Sequence, residues 1–288
     1  MKNRLIGLFF ISLMWSINIT DVNATVLAKQ KVDIPSNFPK AKNGKTYVIA
    51  HRGAHIGIPE NSLPAYQKAI DLGCDFVEID VRTTKDGKFV SVHNSTIDAY
   101  VEGESGKVKE MTLAELKSLD IGVRIDEQWR GTRIPTFEEI VQLCQRKIGI
   151  YIDLKDAPVE ELMAILQKYK MEQNVVWYFP ASYISRVEDI NAMFKNSFPM
   201  PDPGPAKNIS KVLASIKTCV IASDMGELNK NFVETAHKND AMVFVDEKIG
   251  TEREWSQILE WETDGIQTDK PEELVLFLKN NMLNKILN

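Results

Sequence analysis

Short apolar runs alternate along this chain with stretches whose apolar residues recur at helical spacing. From residue 46 the runs read "TYVIA" (46–50), "DFVEIDV" (75–81), "IGIYIDL" (148–154), "NVVWYF" (174–179), "SFPMPD" (197–202), "TCVIASD" (218–224), "AMVFVD" (241–246) and "DGIQTD" (264–269). Near-continuous apolar runs of this length are the pattern of strands covered on both faces. Helical patterns lie between them, in 62–73, 159–170, 185–195, 229–239 and 271–282. In "SLPAYQKAIDLG" (62–73), Ser62 stands as N-cap, Pro64 falls in the first turn and Gly73 follows the end. Strands that alternate with helices predict a parallel sheet, and eight of them predict an α/β fold of the (β/α)8 TIM type. A doubly wound open sheet is the competing arrangement; a dinucleotide-binding version lacks the GxGxxG turn after the first strand.

One strand-like run is left over, "KFVSVH" (88–93). It follows the second strand too closely for a parallel crossover, so the two form an antiparallel hairpin. A two-residue turn on Asp86-Gly87 predicts that Asp80 faces His93 and Val81 faces Val92. The two valine files then share one face, and Glu78, Asp80, Ser91 and His93 share the other.

The first 24 residues follow a different pattern. Lys2 and Arg4 precede an apolar stretch from Leu5 to Ile17, and small residues follow at Ala24 and Ala28. That is a secretory signal, too short to span a membrane, so the mature chain is expected to begin near Thr25 or Lys29 and to be exported to the periplasm or medium. A retained N-terminal anchor is the competing reading. Residues 25–45, polar and carrying Pro35 and Pro39, read as a lead-in, and residues 46–288 as one barrel domain.

Composition narrows the class. The 288 residues are 44% hydrophobic with a formal net charge of −5, as expected of a soluble enzyme-sized domain. No basic stripe marks a nucleic-acid surface. The three cysteines, Cys74, Cys144 and Cys219, sit beside apolar runs without a CxxC and read as buried free thiols.

The chemistry gathers where the strands end. Barrel sites lie at the C-terminal ends of the strands. There the first strand delivers His51 and Arg52, the second Glu78 and Asp80 with His93 returning beside them, and the third Asp153 and Lys155. Carboxylates on such strands are costly unless paired or metal-bound. Glu78, Asp80 and Asp153 offer only oxygen, which suits one hard divalent cation, Ca²⁺ or Mg²⁺. Arg52 and Lys155 beside it suit a phosphate. Two histidines can divide the base and acid roles that phosphodiester cleavage needs. A phosphate-binding barrel without catalysis would need the cations but not two proton carriers.

The motifs "HRG" (51–53), "PENS" (59–62), "EIDV" (78–81), "TKDG" (84–87), "VSVHN" (90–94), "MTLAELKSLDIG" (111–122), "IPTFEEI" (134–140), "YIDLK" (151–155) and "DGIQTDKP" (264–271) resemble those of the glycerophosphodiester phosphodiesterase family. The resemblance implies a TIM-type barrel, a divalent metal, and hydrolysis of glycerophosphodiesters to an alcohol and sn-glycerol 3-phosphate. It implies that His51 and His93 are the acid/base pair, that Glu78, Asp80 and Asp153 hold the metal, and that Arg52 and Lys155 contact phosphate. It also implies a small insertion over residues 94–135. A phospholipase-D-like action on intact lipid is the alternative, and it would need an exposed apolar rim. Two positions depart from the family pattern: Asn94 stands where an aspartate follows the histidine, and Asp153 where a glutamate precedes the lysine. Trp177, Tyr178 and Phe179 read as core or pocket wall.

Overall fold

The computed structural model describes residues 32–287; the signal-like segment lies outside them. Nine strands form one sheet: β1 (Tyr47–Ala50), β2 (Phe76–Thr83), β3 (Phe89–Ser91), β4 (Gly149–Leu154), β5 (Val175–Pro180), β6 (Phe198–Asp202), β7 (Val220–Asp224), β8 (Met242–Asp246) and β9 (Gly265–Thr268). The order β6-β5-β4-β2-β1-β9-β8-β7 is parallel throughout, with β3 antiparallel to β2. This is the expected eight-stranded barrel, closed all the way round except between β6 and β7.

The alternation of side chains explains why the runs look apolar throughout. Val48, Ala50, Val77, Ile79, Ile150, Ile152, Val243 and Ile266 point outward to the helices, while Ile49, Phe76, Tyr151, Val176, Phe198, Val220, Met242 and Phe244 fill the barrel. The helices are α1 (Leu63–Leu72), α2 (Leu113–Ser118), α3 (Phe137–Cys144), α4 (Val159–Lys168), α5 (Ile190–Met193), α6 (Ile209–Ser215), α7 (Lys230–Lys238), α8 (Glu252–Glu260) and α9 (Pro271–Leu287). Ser62 Oγ caps α1 by accepting the Ala65 N–H, and Gly73 closes it at φ 79°. The helix expected over 185–195 shrinks to α5, preceded by a 3₁₀ segment over Ala181–Arg186. All three cysteines are free and buried, and Trp177 and Phe179 join the outward core while Tyr178 faces the barrel mouth.

Two strand features depart from simple expectation. In the hairpin, Val81 faces Ser91 and Arg82 faces Val90, one position off the predicted register. Thr84 and Lys88 close a three-residue turn in which Gly87 takes φ 69°; the extra residue moves every pairing by one. Val90 and Val92 therefore leave the Val81 face and anchor a separate small core with Ile97, Val108, Leu116, Ile121 and Ile134. That core belongs to the excursion that runs from β3 to the Val90–Thr136 bridge, just before α3. In β6, Pro199 and Pro201 offer no N–H on alternate positions. The Pro199 carbonyl accepts from Thr218 Oγ1, which leads into β7, so these prolines present the edge where the ladder is missing.

The lead-in is more than a tether. Phe38 is 3% exposed and closes the N-terminal end of the barrel against Tyr47, Phe76, Phe198 and Phe244, with ring centroids 4.7–6.4 Å apart.

Candidate active site

The HRG turn is built around the left-handed backbone region. Arg52 has φ 53° and Gly53 φ 83°. A Cβ at Gly53 would lie 2.8 Å from the backbone of Ala65, so only glycine lets α1 pack here. A non-glycine residue at positive φ is costly and persists only where its surroundings hold it. At Arg52 they do: its N–H donates to Glu78 Oε2 at 2.8 Å and its carbonyl accepts from Asn61 N at 3.0 Å. The turn thereby aims Arg52 across the mouth toward Asp80 of β2 and leaves His51 facing the cavity beside Asp269.

Glu78 and Asp80 stand on the inward file of β2, 2% and 1% exposed, and Asp153 faces Asp80 in register from β4. One oxygen from each of the three lies within 4.8 Å of the others, and no other such group occurs among the described residues. Asp80 Oδ1 is buried without an aligned donor, although Lys155 Nζ pairs with it at 3.1 Å. An all-oxygen set with an orphaned carboxylate oxygen is compatible with a divalent cation. Burial, with Asp80 beside it, pushes the Glu78 carboxyl well above the ordinary range; burial also raises Asp153, against the pull of Lys155. Lys155 Nζ bonds Asp153 as well.

The PENS turn supports this set. Glu60 takes the Arg52 guanidinium at 3.1 and 3.3 Å. Asn61 Nδ2 donates to Asp80 Oδ2 at 2.9 Å, while its Oδ1 accepts from Tyr66 Oη and Ser91 Oγ at 2.8 Å each. Neither Glu60 nor Asn61 was assigned a role from the sequence, although both lie inside a motif already singled out.

His93 reaches the mouth by a route other than strand pairing. Val92 N still bonds Asp80 O at 3.0 Å, and the Arg82 guanidinium then grips the Val92 and His93 carbonyls at 2.6–3.1 Å, turning the chain inward. His93 Nδ1 lies 3.0 Å from Asn94 Oδ1. An amide oxygen only accepts, so in the neutral ring this bond puts the proton on Nδ1 and makes Nε2 the acceptor.

His51 has the opposite arrangement. Its Nδ1 meets Asp269 Oδ1 at 2.7 Å, a residue just past β9 that sequence reasoning missed despite its place in "DGIQTDKP". Burial alone would lower the imidazolium, but the Asp269 bond and the Glu78 charge outweigh it and hold it at about 9.

Thus six of the seven expected residues meet directly at the mouth, five of them (His51, Arg52, Glu78, His93 and Asp153) lining one cavity of about 260 Å³ with Asp80 behind them; Lys155 reaches the same carboxylates from just beyond β4. The cavity's other wall is Tyr151, Tyr178, Asp202, Ser223, Asp224, Asp246 and Gln267. A second cavity of about 290 Å³ opens on the other side of Arg52, between the HRG–PENS loop and the excursion, and includes Tyr100, Ile121 and Ile125. No described helix is long and apolar enough to cross a membrane.

Comparison with known proteins bears on the family and the fold. The model of the glycerophosphoryl diester phosphodiesterase family matches residues 51–273. A glycerophosphodiester phosphodiesterase of Caldanaerobacter subterraneus is 40% identical over 139 residues, which is 46% of this chain and 57% of that protein. One from Bacillus subtilis is 27% identical over 294 residues, 94% of this chain and 96% of the relative. In fold, the chain is similar to an Oleispira antarctica phosphodiesterase solved with the product sn-glycerol-3-phosphate, with TM-score 0.69, 20% identity, and coverage of 81% and 96% of the two chains.

Proposed function

Because this chain belongs to the glycerophosphoryl diester phosphodiesterase family, we propose that it hydrolyses glycerophosphodiesters to an alcohol and sn-glycerol 3-phosphate. The observation that carries this reading is the meeting of two differently prepared histidines, an arginine and an acidic triad around one cavity.

Glu78, Asp80 and Asp153 would hold one divalent cation, and the oxygen-only donor set favours Ca²⁺ or Mg²⁺. Bound there, the cation supplies positive charge to the phosphate. Arg52 offers the same phosphate a rigid, permanently charged fork, and Lys155 a mobile point charge. His93, with its Nε2 bare, takes a proton from the attacking water. His51, kept protonated by Asp269, delivers one to the departing alcohol oxygen. One proton is taken and one given, so the reaction balances as water plus diester to alcohol plus phosphomonoester.

We also propose that the chain is exported, on the strength of the N-terminal pattern alone; N-terminal sequencing of the exported protein should begin near Thr25 or Lys29, and a cytosolic chain starting at Met1 would refute this. The rim of the second cavity supports a further reading, action on a lipid-borne diester, since Ile56, Val123 and Ile125 are 64%, 40% and 41% exposed beside it. Release of sn-glycerol 3-phosphate from glycerophosphocholine, with and without chelator, tests the main reading, and release of free choline and lysophosphatidate from lysophosphatidylcholine tests the second. His51→Ala and His93→Ala should each lower kcat by roughly 10²–10⁴-fold; near-normal turnover in both, with folding intact, would overturn the assignment.

A further inference from the structure

The catalytic groups come from β1, β2, β4 and the end of the hairpin, one arc of the mouth. The opposite arc is acidic. β6, β7 and β8 end in Asp202, Asp224 and Asp246, and Tyr178 and Gln267 complete the wall from β5 and β9. Register sets Asp224 beside Asp246 and Asp246 beside Gln267 on adjacent strands. Like charges directly opposite one another on a sheet are destabilising. Among the described residues, no lysine, arginine or histidine forms an ion pair with any of these three aspartates; the charge of His51 acts on Asp246, while Asp202 Oδ1 accepts the Gly204 N–H and Asp224 Oδ1 the Gly226 and Glu227 N–H groups.

Gln267 gives its amide N–H to Asp246 and leaves its carbonyl oxygen as the sign of a missing ligand. It is 6% exposed, lines the cavity, and its Oε1 has no hydrogen-bond donor. A buried carbonyl oxygen left unsatisfied is uncommon and costly. It calls for an N–H or O–H from whatever fills the cavity.

The spacing of the wall argues against a second metal. Among the described residues only Glu78, Asp80 and Asp153 bring three ligand atoms within 4.8 Å of one another, so the aspartates of the wall are too dispersed to close on a bare ion. They fit a cation whose charge is carried on an organic body. Tyr178 adds an aromatic face and hydroxyl beside Asp202.

We propose that this wall receives the alcohol portion of the diester, and that the preferred alcohol carries a primary ammonium, as ethanolamine does. Asp224 and Asp246 meet the charge, and Gln267 Oε1 accepts one ammonium N–H. This rests on the hydrolase reading of the same mouth. It turns that reading into a preference for zwitterionic diesters over those whose alcohol is neutral.

The test compares kcat/KM for glycerophosphoethanolamine and glycerophosphoglycerol in the full chain and in Asp224→Asn, Asp246→Asn and Gln267→Leu. The wild-type ratio should be roughly tenfold or more in favour of ethanolamine, the fold-change expected of a charge-assisted hydrogen bond. Each aspartate variant should bring the ratio most of the way to one, chiefly through KM. A wild-type ratio near one, or parallel losses on both substrates, overturns the proposal, the latter because the wall would then serve the shared glycerol or phosphate. If neither diester is cleaved, it is the hydrolase reading that fails. Calorimetric titration with ethanolamine then decides the wall on its own: saturable binding lost in Asp246→Asn supports it, and absence of binding to the wild type overturns it.

Discussion

Replacing Asp269 by asparagine keeps the shape beside His51 and removes the charge. The imidazolium is held at about 9 against an ordinary value of 6.5, with Asp269 Oδ1 at 2.7 Å from Nδ1. That difference corresponds to roughly 3 kcal/mol. Asp269 is 55% exposed, and Glu78 contributes as well, so solvent screening leaves Asp269 a share of about 1–2 kcal/mol. The His51 midpoint in Asp269→Asn should therefore fall to roughly 8. A general acid works only while protonated, so its activity is lost as pH rises through its pKa, and the high-pH limb of the kcat profile should move down with the midpoint. The asparagine can also present its amide N–H to Nδ1 and turn the ring's tautomer, so kcat itself should fall about 10²-fold or more. NMR titration of the His51 ring, read beside the kcat–pH profile, measures both effects. A variant whose His51 midpoint and high-pH limb both match wild type would refute the argument.

Two further outcomes follow from the buried groups. Glu78 must lose a proton that burial and Asp80 encourage it to keep, so divalent-cation affinity should fall as pH drops and binding should release protons; calorimetry in buffers of different ionisation heat reads this, and pH-independent affinity would contradict it. Phe38→Ala, which empties the aromatic plug at the barrel floor, should cost about 3–5 kcal/mol in urea unfolding, while a loss under 1 kcal/mol would mean the lead-in merely rests on the barrel.

The strands were readable because both of their faces are buried, so each stands out as an apolar run whatever its neighbours. Even β6 was readable, since its prolines fall where no ladder forms. The hairpin register was not. Asp-Gly marks a two-residue turn and equally the end of a three-residue turn with glycine at positive φ, and only the closed Thr84–Lys88 pairing distinguishes them. His93 nevertheless reached the site, because Arg82 steers its carbonyl. Groups within single motifs, such as His51, Arg52, Glu78 and Asp80, could be read from local pattern. Asp269 and the aspartates of the far wall could not, because each is an ordinary strand-end residue until barrel closure sets it beside the others. Phe38 was hidden for a similar reason: one aromatic in a polar stretch has no period to reveal it.

The missing ladder between β6 and β7 gives the barrel an unsewn seam. Asp202 and Asp224 stand on its two lips. Elsewhere around the mouth, widening the opening would mean breaking backbone ladder hydrogen bonds; along this line the ladder is absent, and the bond from Thr218 Oγ1 to the Pro199 carbonyl ties the two strands only at the start of β7. If the acidic wall receives the alcohol as proposed, its span can adjust to alcohols of different bulk while the arc laced through β4, β2, β1 and β9 is held by continuous ladders. Amides of β7 that face the seam have no strand partner there and should exchange with solvent ahead of those in β1 and β2. On the proposed reading, rigidity on one side and give on the other would let a single barrel hold the phosphate strictly and still accommodate the bulk of the leaving group.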